Sequence, residues 1–256
     1  MWIVALVSLI AAALTLFSGF GLGSLLLPAF ALLFPAQVAV AATAVVHLLN
    51  NLFKAALLGR HAVWRVVLVF ALPGALTSFL GANLLVSLSR LDSLGSWELG
   101  QRSFAITPLG LTLGALILLF AVLELHPWGH RVALPPKYLP LGGALSGFLG
   151  GLSGHQGALR SAFLVRLGLE KRAYLGTSIL CAVAIDVVRL GVYGLRIFSS
   201  EGLSEARGSI LVGTLAAFLG SYLGARMIGK TTMEGIRKLV GVLLVALGLA
   251  LASGLI

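Results

Sequence analysis

Apolar and polar positions alternate along this chain as long apolar runs separated by short polar breaks. The runs span about 2–33, 36–58, 63–87, 104–123, 138–167, 172–195, 206–228 and 234–256. Most have the length for one helical membrane crossing, for which about 20 residues suffice. The first and fifth are too long. As straight helices at 1.5 Å per residue they would each run roughly 45 Å, against a hydrocarbon core of about 30 Å. Both carry glycines near the middle: Gly19-Phe20-Gly21-Leu22-Gly23 in the first and the series from Gly147 to Gly157 in the fifth. Glycine weakens a helix interior, so a break is expected at each place. The pattern predicts an all-α polytopic membrane protein. Its eight apolar segments, with the first and fifth broken and re-entrant, give about ten helical pieces.

The chain also repeats itself. Gly74-Ala75-Leu76-Thr77-Ser78-Phe79-Leu80-Gly81 returns as Gly213-Thr214-Leu215-Ala216-Ala217-Phe218-Leu219-Gly220, and Ala39 to Thr43 lines up with Ala173 to Thr177. Two homologous halves, 1–125 and 138–256, are therefore expected, joined by a polar, proline-bearing linker at 126–137.

Charge orients the halves. If all eight runs cross once, the loop cations divide 6 against 9, barely a bias. If the first and fifth runs turn back at their glycines, Arg60, Arg65, Arg131, Lys137, Arg166, Lys171, Arg172, Arg226, Lys230, Arg237 and Lys238 share one side. Arg90, Arg102, Arg196 and Arg207 then share the other, 11 against 4. Cytoplasmic loops carry an excess of Lys and Arg, which favours the second arrangement. Both termini then lie outside and the halves form an inverted repeat, the arrangement in which discontinuous helices mark a transporter's midplane site.

Composition narrows the class. At 59% hydrophobic and 10% charged residues, with a mean hydropathy of +1.07, the chain excludes an ordinary soluble domain. The net charge of +10 has no soluble basic face on which to bind nucleic acid, so it reads as loop retention at an anionic leaflet. The single cysteine, Cys181, offers no intrachain disulfide and no zinc or redox spacing. The apolar N-terminus lacks a positive leading region and a clear cleavage site, so it is expected to be a mature helix. Trp2, Trp64, Trp97 and Trp128 fall at segment ends or in linkers, as interfacial anchors do. No nucleotide loop, metal cluster or cofactor motif is present, and no cofactor is expected.

Candidate chemistry concentrates in Gly154-His155-Gln156-Gly157-Ala158-Leu159-Arg160. A charge within an apolar span is expensive and marks a functional site by default. Freed N–H groups where half-helices begin, near Gly23-Ser24 and Gly157-Ala158, form an anion-attracting cradle. Arg160 lies one turn beyond the second break, where its planar fork suits a sulfonate, sulfate or carboxylate. The alternative is that Arg160 snorkels or pairs internally. His155 and Gln156 are further candidate donors or turn residues. Ser153, Thr43, Thr177 and Ser178 are donors that also serve helix packing. His47, Asn50 and Asn51 share a helix face, and Lys54 is expected to snorkel. Asp186 and Arg189 are spaced as an intrahelical ion pair. Asp186 is also the first candidate for proton coupling, as the acid well inside a span.

The order Ser18-Gly19-Phe20-Gly21-Leu22-Gly23-Ser24-Leu25-Leu26-Leu27-Pro28, the turn at Pro35 and Ala39-Val40-Ala41-Ala42-Thr43 resemble the repeat of the sulfite exporter TauE/SafE family. So does the later Gly74 to Gly81 helix. The second half repeats the pattern with Gly150-Gly151-Leu152-Ser153-Gly154, Leu167-Gly168-Leu169-Glu170-Lys171 and Gly176-Thr177-Ser178. Leu22 interrupts the family's usual glycine triplet, and His155, Gln156 and Arg160 replace bland residues in the second half. The resemblance implies a bacterial inner-membrane permease that moves sulfite, organosulfonates or related small anions outward.

Three functions compete. The first is a secondary transporter of small anions, working by alternating access, with the bilayer, the anion and a second copy in a homodimer as partners. The second is an intramembrane serine protease, because Gly151-Leu152-Ser153-Gly154 matches a rhomboid-type pattern; no histidine follows His155 to serve as base. The third is a non-transporting membrane scaffold, which leaves Arg160 and the duplicated breaks without a role.

Overall fold

The computed structural model describes residues 1–18, 22–126, 134–196, 201–226 and 234–256. Gly19-Phe20-Gly21, Trp128, Arg131, Lys230 and most of the 126–137 linker lie outside the described residues. In chain order the elements are α1 (Trp2–Ser18), α2 (Leu22–Ala31), α3 (Ala36–Leu58), α4 (Trp64–Leu88), β1 (Gly95–Leu99), β2 (Arg102–Ile106) and α5 (Pro108–Leu125). There follow α6 (Leu139–Ser153), α7 (Gly157–Leu164), α8 (Lys171–Arg196), α9 (Glu201–Arg226) and α10 (Glu234–Ser253).

Local chemistry sets the boundaries. Pro35, with φ −53° and ψ 149°, delivers an extended chain into α3, and Gly59 ends that helix. Thr107 caps α5 by accepting from the Gly110 N–H at 3.0 Å, with Pro108 at the first helical position, where its missing N–H costs nothing. Pro73 sits inside α4. One turn on, the Thr77 hydroxyl donates to the Pro73 carbonyl at 3.0 Å and reaches across to the Ala144 carbonyl of α6 at 2.6 Å.

Four helices are long and apolar enough to cross a membrane among the described residues: Ala36–His61, Trp64–Leu88, Lys171–Gly194 and Ser204–Arg226. Their outward faces bear apolar side chains at helical spacing. On α4 these are Leu68, Leu72, Leu76, Phe79 and Leu80; on α9 they are Leu211, Leu215, Leu219 and Leu223. Such stripes suit lipid contact. The chain is a multi-pass membrane protein.

Small residues set the helix spacing. α6 lies against α4 with Gly143, Gly147 and Gly151 over the backbone of Phe70, Gly74 and Ser78. α9 lies against α1 with Gly220 and Gly224 over Leu9 and Ala13, and α10 against α5 through Gly110, Gly114 and Gly248. α3 is central, packed on α2, α8 and α9, and is buried continuously from Val38 to Ala44. α7 doubles back along α6: Ser146 bonds the Gln156 carbonyl at 3.0 Å, and Gly142 faces the Phe163 ring.

One element departs from expectation. The fourth apolar run was expected to begin near residue 104, but the helix starts at Pro108, and Phe104 belongs to an antiparallel hairpin. Trp97 stacks on Phe104 at 4.8 Å and donates to the Ser253 carbonyl at 2.7 Å, so the hairpin is tied to the end of α10.

Candidate functional site

The site is built where α6 stops. Gly154 takes a left-handed conformation, φ 83°, and its N–H closes the helix on the Gly150 carbonyl at 2.9 Å. A side chain there would be strained, and its Cβ would lie 2.9 Å from Nη1 of Arg189. α7 restarts at Gly157 with no side-chain cap. The start of α2 abuts this corner: a Cβ on Gly23 would sit 3.2 Å from the Gly154 carbonyl oxygen and 3.8 Å from Cγ2 of Thr43. The Ser24 side chain lies outside the described residues.

Around this corner the polar side chains form one buried network. Asp186, fully buried on α8, is its hub. Oδ2 meets Nδ1 of His47 at 2.6 Å and accepts from Nδ2 of Asn51 at 3.3 Å. Oδ1 accepts from Nε2 of Gln156 at 2.8 Å and lies 2.8 Å from Nη2 of Arg189. The Arg189 contact is an ion pair without hydrogen-bond alignment, and among the described residues Nη2 and Nε have no hydrogen-bond partner. Its Nη1 donates to the Gly150 carbonyl at 3.2 Å.

Gln156 faces both ways. While its amide nitrogen serves Asp186, its Oε1 accepts from Nη1 of Arg160 at 3.0 Å. Arg160 is 6% exposed, and its Nε donates to the Ser178 hydroxyl at 2.7 Å. Both partners are neutral, and no carboxylate pairs with Arg160 among the described residues. The guanidinium therefore neither snorkels nor forms an internal ion pair. It is a buried positive charge held by dipoles.

The remaining candidates divide. Thr177 accepts from the Val63 N–H at 2.9 Å, tying α8 to the start of α4. Asn50 faces away from Asp186: its Nδ2 donates to Ser221 Oγ at 2.7 Å and to the Ala217 carbonyl at 3.1 Å. Its Oδ1 accepts from Lys54 Nζ at 3.2 Å. Lys54 does not snorkel; it is 5% exposed and turned into the protein. His155 stacks on Phe120 at 5.2 Å, with Nδ1 3.2 Å from the Ser153 carbonyl. Its Nε2, like the Thr43 hydroxyl, has no hydrogen-bond partner among the described residues. Ser153 donates to the Leu149 carbonyl at 3.0 Å, so its hydroxyl is spent on its own helix rather than held against a base.

Sequence alone left out Ser221, Tyr193 and Phe120. Tyr193 donates to the Gly151 carbonyl near the end of α6, while Arg189 adds a second bond to the Gly150 carbonyl that already accepts from Gly154. The pairing of His47 with Asp186 was also missed. The signal available was chemical: a lone acid in mid-span needs a partner, and His47 was a buried candidate on the facing helix.

The family model of the sulfite exporter TauE/SafE matches residues 4–251. No curated protein and no solved structure matches the chain. A match over essentially the whole length, on a bundle of apolar helices with a charged and hydrogen-bonded interior, places the chain in the sulfite exporter TauE/SafE family of membrane transporters.

Proposed function

We propose that the protein is a secondary transporter of small anions, sulfur oxyanions foremost, in the bacterial inner membrane. The anion sits at the corner where α2 and α7 begin, held by their open N–H groups and by Arg160. The observation that carries this is the state of Arg160: buried, charged, and, among the described residues, bonded to the neutral Gln156 and Ser178 with no carboxylate partner. A buried cation without a counter-ion is costly, and an anionic cargo supplies the missing charge. The open donors on Thr43 and Arg189 add hydrogen-bonding capacity around the same corner.

We further read the chain as two inverted halves, 1–125 and 138–256. The packing supports this. Exchanging α1–α5 for α6–α10 in order turns the α1–α9 contact into α6–α4 and the α3–α9 contact into α8–α4, and leaves α3–α8 and α5–α10 unchanged. All of these contacts are present. One half rocks against the other to open the corner to each side in turn, with both termini periplasmic. An inside-negative potential favours outward movement of an anion by about 2.3 kcal/mol per charge per 100 mV. Flux of sulfite, sulfoacetate, taurine, thiosulfate and a carboxylate through reconstituted vesicles tests the proposal. Transport of a sulfur oxyanion supports it. Failure of every anion would favour the scaffold.

A further inference from the structure

We infer that the His47–Asp186 pair is a proton-coupling site, and that one proton travels with each anion. This rests on the anion-transport proposal above and adds the coupling ion.

The geometry is that of a relay between two binding events. His47 and Asp186 are 3% and 0% exposed and meet at 2.6 Å across the crossing of α3 and α8. From Asp186 the hydrogen bonds run on through Gln156 at 2.8 Å to Arg160 at 3.0 Å. His47 and Asp186 belong to different halves of the chain, so a change at their contact bears on how the halves sit together. Gln156 joins the carboxylate to the anion-facing guanidinium through a single amide.

Charge supplies the coupling. With His47 neutral, Asp186 and Arg189 offset one another and Arg160 carries the net positive charge. A proton adding at Nε2 of His47, the ring nitrogen turned from Asp186, gives an imidazolium and a second positive charge in the same network. Anion binding is thereby favoured, and by reciprocity a bound anion favours the proton. The proton enters from water on one side, forms an N–H bond at His47, and leaves to water on the other side with the anion. Imidazole is the side chain suited to this exchange near neutral pH.

The charged and titratable groups around the pair are Lys54 from α3, Arg160 from α7, Arg189 and Tyr193 from α8, and His155 from the α6–α7 corner. From α4 the neighbouring polar side chain is Ser78, bonded to the Ile185 carbonyl at 3.1 Å. From α9 it is Ser221, on Asn50. Asp186 is the carboxylate among these groups and it faces His47, where it stabilises an imidazolium, whereas the other imidazole, His155, faces the Ser153 carbonyl; the proton is therefore assigned to His47.

The test needs an anion whose own charge does not change with pH, which excludes sulfite. Full-length protein in vesicles is given a pH gradient with the membrane potential clamped at zero, and accumulation of labelled thiosulfate and sulfate is measured. One proton per anion predicts accumulation on the alkaline side by about tenfold per pH unit at equilibrium. His47→Gln and Asp186→Asn are expected to bring the ratio to about 1 whatever their absolute rate. Wild type that equilibrates either anion without accumulation overturns the inference, as do variants that accumulate like wild type. Transport of sulfite but of neither fixed-charge anion also overturns it, because the proton would then ride on bisulfite. If no anion crosses, sulfite included, the transport proposal itself has failed and the coupling with it.

Discussion

Gly147→Ala is expected to disrupt the α4–α6 contact that carries the break. A Cβ at Gly147 would lie 2.5 Å from both the Cα and the carbonyl carbon of Gly74, and nearer still to its oxygen. Carbon atoms pack at about 3.5 Å or more, so α6 must retreat by roughly 1 Å. The displacement is not local. Gly143 over Phe70 and Gly151 over Ser78 sit one turn to either side on the same face. Retreat opens these approaches too, and with them three Cα–H···O contacts worth about 0.5–1 kcal/mol each. Overpacking adds about 1–3 kcal/mol, and the better helix propensity of alanine returns about 1 kcal/mol. The net expectation is a loss of roughly 1.5–5 kcal/mol. Because Gln156 follows Gly151 by five residues, anion flux should fall as well. The control is Gly191→Ala on α8, where nothing among the described residues lies within 4 Å of an added Cβ; it should be neutral or slightly stabilising. The assay is unfolding in detergent, with vesicle flux alongside. A Gly147→Ala protein that unfolds with wild type, or a Gly191→Ala protein equally weakened, would refute the close-approach argument.

Three further outcomes follow from the same geometry. Gly154→Ala forces a side chain into a left-handed turn, at about 1–2 kcal/mol, and pushes on Nη1 of Arg189 from 2.9 Å; a lowered unfolding midpoint checks it. Gln156→Glu sets a carboxylate against Oδ1 of Asp186, where the amide now donates at 2.8 Å, and gives Arg160 an internal counter-ion. Flux should drop at least about tenfold, for a loss above about 1.4 kcal/mol, with the protein still in the membrane. Cys181 is fully buried, so thiol reagents should leave folded protein unlabelled. That makes cysteines introduced beside Trp2 and Lys137 clean topology reporters: labelling of the first from outside and the second from inside is expected, and labelling of both from the cytoplasm would sink the inverted arrangement.

The sequence was informative where one residue type dictates backbone or span. Pro35 precedes α3, whose observed limits, Ala36–Leu58, are those of the apolar run. Glycines from 147 to 157 located the end of α6 and the restart at Gly157. The hairpin was harder. Its turn signal is Gly100, φ 64°, followed by Gln101 between the paired Leu99 and Arg102. A glycine at the first turn position fits a two-residue hairpin, but the segment joins an apolar run, and β2 was absorbed into the following helix. Lys54 was misjudged because nearness to a segment end suggests snorkelling, whereas α3 is enclosed by other helices. The His47–Asp186 pair joins residues far apart in the chain, and no local spacing encodes such a meeting. Asn50 and Asn51 are adjacent, yet one faces α9 and the other Asp186; helical rotation between neighbours separates their roles.

The central claim is that Arg160 is the buried charge that receives the anion. Its most direct test is labelled sulfite flux through Arg160→Ala compared with wild type at matched incorporation into vesicles. Losing a buried anion-binding charge costs about 2–5 kcal/mol, so the account predicts a fall of at least about thirtyfold with the protein folded and inserted. Wild-type flux from the alanine variant would contradict it.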